Sequence, residues 1–161
     1  MGLDIHVNAT VHDVGMCLNG LNCPLQAIEA WRILAGLTPE QKICTQPGSY
    51  VGLHYVRQEY AKLKRWDYDF RHRRGGKPDP RAFVSHLIHH SDCDGYYLPK
   101  RFDLPGWLGG ISVGSSYKLL EELMELLSVK DKWEQGFQRG WDALFLPAVA
   151  SVVCSEVIVF G

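Results

Sequence analysis

Several things that would name a function outright are missing from this sequence. Its five cysteines, Cys17, Cys23, Cys44, Cys93 and Cys154, contain no C-x-x-C pair, which excludes a zinc ribbon, and their odd number excludes a fully paired disulfide framework. Reduced thiols packed as small apolar side chains are expected. No apolar run reaches the roughly 18 residues a membrane span needs, and the most apolar stretch, 143–153, is too short. The opening residues, MGLDIHVNATVHDVG, lack a basic leader and an unbroken apolar core, so a cytoplasmic protein is expected. Charge of one sign is missing too. With 17 Lys+Arg against 18 Asp+Glu, the net charge of -1 excludes a whole-molecule electrostatic binder of polynucleotide or membrane. There is no Gly-Lys-Ser/Thr phosphate loop, no H-E-x-x-H and no complete D-x-D-x-D-G calcium loop.

What is present is a chain of 161 residues, 46% hydrophobic, with 5 Trp, 7 Tyr and 6 Phe, which is enough to bury a core without staples. We read it as one α+β domain over 1–161, with four to five helices on a small sheet that includes both terminal strands. Leu3 to Val11 alternates apolar and polar residues and predicts a strand. Pro24 starts a helix whose Leu25, Ile28, Trp31 and Leu34 recur at helical spacing, and Gly36 ends it. A second helix from Ser49 carries Leu53, Val56, Tyr60 and Leu63 on one stripe. Asp67 to Pro80 reads as a surface loop. Phe83, Leu87 and His90 suggest a helix from Arg81, stopped by Ser91-Asp92-Cys93-Asp94-Gly95, and Tyr96 to Pro99 reads as extended. After the glycine- and serine-rich stretch 106–116, Leu119, Leu120, Leu123, Leu126 and Leu127 mark a helix beginning at Ser115 or Ser116. A last helix, Trp141 to about Val153, is expected to kink or break at Pro147 before a strand, Val157 to Phe160.

Three groups of residues could carry function. Gly48-Ser49-Tyr50 and Gly114-Ser115-Ser116-Tyr117 each open a helix, where unpaired N–H groups and partial positive charge suit an anion; Ser is also an ordinary N-cap. Tyr50, His54 and Arg57 share one face of the second helix and could add stacking and a guanidinium fork. On these residues the leading expectation is binding or sequestration of a small anionic, nucleotide-like ligand. His86 and His90, four apart, with Asp92 and Asp94 in the next turn, could instead hold a divalent metal in a hydrolase, with Asp4 or His6 as a further ligand or base. The same aspartates could simply fix the turn through their own hydrogen bonds. Finally, Arg57 to Arg81 holds nine Lys+Arg against four Asp+Glu, a local +5 that leaves eight against fourteen, or -6, elsewhere. An interaction module whose Arg71 to Arg81 loop meets an acidic partner is the third reading. Polynucleotide binding is disfavoured, because counterion release needs several phosphate contacts. Self-association stays open.

His90-Ser91-Asp92-Cys93-Asp94-Gly95-Tyr96-Tyr97-Leu98-Pro99, Gly114-Ser115-Ser116-Tyr117-Lys118-Leu119-Leu120-Glu121-Glu122-Leu123 and Val157-Ile158-Val159-Phe160 together resemble a group of small uncharacterised bacterial and phage proteins. The likeness covers the second half of the chain, with a weaker echo in Gly48-Ser49-Tyr50 and His54. It implies a prokaryotic or phage setting, in which sequestering a nucleotide signal of host defence is one role, and it implies no catalytic residues.

Overall fold

A computed structural model describes residues 3–47, 50–68, 79–90 and 94–161, with Tyr50 and Val51 described by their backbone. Its architecture is α+β. Six strands, β1 (Ile5–Thr10), β2 (Lys42–Thr45), β3 (Gly95–Leu98), β4 (Gly106–Leu108), β5 (Ile111–Ser115) and β6 (Ile158–Phe160), form one mixed sheet in the order β2-β1-β6-β3-β5-β4. Six α-helices are seen among the described residues: α1 (Val11–Cys17), α2 (Pro24–Leu34), α3 (Tyr50–Lys64), α4 (His86–His89), α5 (Ser116–Glu125) and α6 (Gln135–Cys154).

The alternation in the first strand sets the orientation of the sheet. Ile5, Val7 and Ala9 are buried under the helices while His6 and Asn8 face out. The closing strand does pair with it, Ile5 opposite Phe160 and Val7 opposite Ile158, and on its other side β6 pairs with β3. Both ends of the chain therefore meet in the middle of the sheet. Helix α1 follows β1 directly, because Thr10 closes a capping box: its Oγ1 accepts from the Asp13 N–H at 3.1 Å, and the Asp13 carboxylate accepts from the Thr10 N–H at 2.8 Å.

Helix α6 is the centre of the core, packing on α1, α2, α3, α5 and on β1, β2 and β6. It begins at Gln135, six residues before the start expected from its apolar run, and it does not break at Pro147. A proline inside a helix strands the carbonyl four residues earlier. Here that carbonyl belongs to Ala143, and the Thr45 hydroxyl of β2 donates to it. The cost of the proline is thus offset by a neighbouring strand that sequence periodicity did not reveal.

Three further expectations change. The helix read from Arg81 is a 3₁₀ segment, Pro80–Val84, followed by the single turn of α4, with Ser85 extended between them and capping α4 through its hydroxyl. Strands β2, β4 and β5 were not legible, being short and, for β4 and β5, glycine-rich. Helix α2 presents a face other than the expected one: Leu25, Ile28 and Trp31 are exposed, whereas Glu29, Ala30 and Leu34 are buried. Glu29 is held inside by Lys130 at 2.6 Å and Arg32 at 3.0 Å, so ion pairing rather than apolar spacing turned this helix.

Gly109 and Gly110, both at positive φ, make the turn between β4 and β5. Gly114 has a different reason. A Cβ there would lie 2.5 Å from Cε1 of Tyr97 on the neighbouring parallel strand. We expect Gly114→Ala to cost about 1–3 kcal/mol by overpacking, lowering a calorimetric midpoint by roughly 3–10 °C in a chain of this size; an unchanged midpoint would show that Tyr97 can move aside.

Candidate functional site

Around α4 the structure gathers residues from four segments into one buried polar network. Glu122 of α5, on the apolar stripe between Leu119 and Leu123, is its anchor. Its carboxylate accepts from the His86 N–H at 2.8 Å, the Leu87 N–H at 2.7 Å and the Ser85 hydroxyl at 3.0 Å. It thereby satisfies the first free N–H groups of α4 from across the fold. Burial pushes the Glu122 carboxyl up to about 7, against the opposing pull of these three donors. From the opposite side Arg57 of α3 closes the end of α4, its guanidinium donating to the Leu87 and His90 carbonyls, each at 2.7 Å.

His86 is fully buried and holds a neutral ring. The Ser115 N–H donates to its Nδ1 at 2.8 Å, so Nε2 carries the hydrogen and donates to the Asp103 carbonyl at 3.0 Å. Burial is the largest influence on the ring and holds its pKa below the ordinary histidine value. His90 lies just past the end of α4 in extended backbone, stacks on Tyr97 at 4.1 Å and donates from Nε2 to the Tyr96 carbonyl. Tyr97 in turn donates to the His86 carbonyl at 2.8 Å. Beneath His90, Gly95 sits at φ +126°, and a Cβ there would be 2.8 Å from the His90 ring.

Of the residues singled out in the sequence, the structure brings Arg57, His86, His90, Gly114 and Ser115 to this network, whereas His54, Ser116 and Tyr117 have other partners. Ser115 and Ser116 are fully buried. The Ser115 hydroxyl donates to the Lys100 carbonyl and caps the Lys118 N–H at 3.3 Å, and Ser116 bonds to Ser151 at 2.6 Å. The start of α5 is a closed cap rather than an open anion cradle, and Gly114 serves the Tyr97 ring. Tyr117 lies under the Arg101 guanidinium, 4.5 Å from the ring centre. His54 bonds to Tyr68 at 2.9 Å, and Arg57 is part of the α4 anchor. Ser49 lies outside the described residues, as do 69–78 of the basic loop.

Among the described residues the histidine cluster has no metal geometry. The nitrogens of His86 are both in hydrogen bonds, and the two rings do not share a helix face because α4 ends at His89. Asp94 is exposed, and Asp92 lies outside the described residues. Asp4 bonds to Gln46 at 2.6 Å, and His6 lies on the open face of the sheet, opposite to the helix side where Tyr97 meets His86. Among the described residues no group of three or more His, Cys, Asp or Glu is placed to hold a metal ion.

The charged surface has a different character. On α5, Glu121 and Glu125 are exposed one turn apart. Glu121 pairs with Arg101 at 2.7 Å and Lys118 at 3.4 Å, and Glu125 with Lys64 at 2.7 Å. Asp103, almost fully exposed, stands 3.8 Å from Lys118 and continues the row.

A protein-family model described as "Putative DNA-mimic protein" matches residues 1–132. The chain belongs to that family. The match takes in β1 to β5 and α1 to α5 and stops just before α6, so it reaches well beyond the second-half likeness of the sequence motifs, while α6 and β6, which complete the core, lie outside it. Searches of curated proteins and of solved structures each returned no match. A protein that stands in for DNA engages proteins that bind DNA. Membership therefore overturns the nucleotide-like small ligand as function and as partner, and the metal-dependent hydrolase with it; the interaction module is the reading that agrees with the family. No helix among the described residues is long and apolar enough to cross a membrane.

Glu122, Ser85 and Tyr97, which organise the network, were not among the residues singled out. The one legible signal was Glu122 itself, a carboxylate on an otherwise leucine-lined helix face.

Proposed function

We propose that this chain binds a DNA-binding protein at the surface that protein uses for DNA, in the cytoplasm of a bacterium or of a phage-infected host. The family match carries this reading. Because the whole chain is close to neutral, mimicry has to be local, and the excess of acid outside 57–81, fourteen against eight, supplies the charge. The row Asp103, Glu121 and Glu125 is the surface we favour. Residues four apart on a helix rise about 6 Å, close to twice the roughly 3.4 Å per phosphate along one DNA strand. Their present partners are the exposed Arg101 and the partly exposed Lys64 and Lys118, and surface pairs of this kind are worth only about 0–1 kcal/mol. A partner's arginine can therefore replace them at little cost.

The test uses tagged chain to capture proteins from a bacterial host lysate, followed by elution with duplex DNA. We expect a captured protein that duplex DNA releases, whose own DNA gel shift the chain suppresses, with suppression weakening as salt rises. Glu121→Lys with Glu125→Lys should weaken suppression at least tenfold without altering the circular dichroism. Capture that duplex DNA does not disturb, or a chain that leaves every captured protein's gel shift intact, would remove the reading.

A further inference from the structure

We propose that the exposed face of α1 and α2, formed by Met16, Leu25, Ile28 and Trp31, is the interface of a two-fold dimer of this chain. The four side chains are 69%, 46%, 62% and 53% exposed. They are not scattered. Leu25, Ile28 and Trp31 follow each other every three residues along one face of α2, and the Trp31 ring lies against α1 at Gly15, where a Cβ would be 3.2 Å from the ring. Met16 is the next residue along. Gly15 thus leaves room for the indole, and Trp31 packs on α1 while about half of the residue stays exposed, as in an aromatic interface anchor.

The occupant follows from charge and area. The charges of α2 are already satisfied: Glu29 is buried between Lys130 and Arg32, and the other arm of Arg32 grips Asp142 at 2.6 Å. A basic DNA-binding surface would find nothing complementary there, so this face is distinct from the acidic row on α5. A second copy fits it. In an antiparallel pair of α2 helices with Ile28 on the dyad, Leu25 of each copy meets Trp31 of the other, small against large, with the helix dipoles opposed. The four side chains present on the order of 450 Å² of apolar surface. That is about three-quarters of the roughly 600 Å² per partner at the low end of stable interfaces, so the polar residues around the patch have to supply only the remaining quarter. The pairing does not rest on the mimicry reading.

Sedimentation equilibrium of the full chain from about 1 to 100 µM should show a species approaching twice the 18.2 kDa chain mass, and a melting temperature that rises with concentration. Ile28→Glu and Trp31→Ala should each weaken association at least tenfold with unchanged circular dichroism. Leu108→Glu, at a still more exposed site on β4, should leave it unaffected. In a Cys44→Ser background, Ile28→Cys should cross-link to itself on mild oxidation, reporting the dyad even if the glutamate variant fails to fold. A chain at 18.2 kDa throughout this range overturns the proposal. So does a dimer that Leu108→Glu dissolves while Ile28→Glu does not, or an Ile28→Cys variant that stays uncross-linked.

Discussion

Glu122→Leu should lose about 3–6 kcal/mol of folding stability, a large share of the roughly 5–15 kcal/mol that holds a domain folded. Leucine matches the volume and the apolar setting, so the loss reports polarity alone. Three buried donors, the N–H groups of His86 and Leu87 and the Ser85 hydroxyl, would be left without an acceptor. The first turn of α4 would lose its anchor on α5, leaving only the Ser85 cap at its start and the Arg57 and Tyr97 bonds to its carbonyls. Urea denaturation measures this directly, and a midpoint near that of the parent would mean that α4 is held by packing instead.

The same carboxylate has a signed pH dependence. Its folded pKa, pushed up to about 7, lies above its ordinary value of 4.5, so the folded state holds the proton more tightly than the unfolded one. The favourable contribution is complete below about pH 4.5 and is lost as pH rises through 7, an effect of order 3 kcal/mol. Glu122→Gln, an isostere of the protonated acid, isolates it. The stability of the parent relative to this variant should fall by that order between pH 4.5 and 8, and a flat difference would show that the three hydrogen bonds keep the carboxylate ionised throughout.

Trp141→Ala should cost about 3–5 kcal/mol, the range for emptying a buried aromatic site. Trp141 is fully buried on α6, stacked on Phe145 at 4.3 Å and in contact with Trp133 at 5.2 Å. Its Nε1 donates to the Leu123 carbonyl at 2.9 Å, joining α6 to α5 beside Glu122. The urea midpoint should drop with the m-value unchanged. If the loss were under 1 kcal/mol, α6 would not be the centre of the core.

Where one side chain periodicity decides the outcome, the sequence was sufficient. The first strand, the stripe of Leu53, Val56 and Tyr60 on α3 and the leucine face of α5 all fold as their spacing predicts, because each is a single element with one side against the core. Spacing misled for α2, where Leu25, Ile28 and Trp31 form the regular stripe yet face solvent. Glu29 finds Lys130 and Asp142 joins Arg32 from about a hundred positions away, and no local pattern records such partners. The functional residues failed for a related reason. Gly-Ser helix starts and a pair of histidines have the same residue types whether they await a ligand or close on each other.

By itself the sequence determined the α+β class, the core stripes of α3 and α5, a strand at each end of the chain and the uneven division of charge. These depend on short-range periodicity and on composition. The tertiary structure alone decided that the Ser115 N–H closes on His86 and Arg57 on the Leu87 and His90 carbonyls, that Thr45 rescues the carbonyl stranded by Pro147, and that α2 turns its apolar side outward. Each of these is a hydrogen bond or ion pair between distant segments, and whether a buried polar group is satisfied can be read only when its partner's position is known.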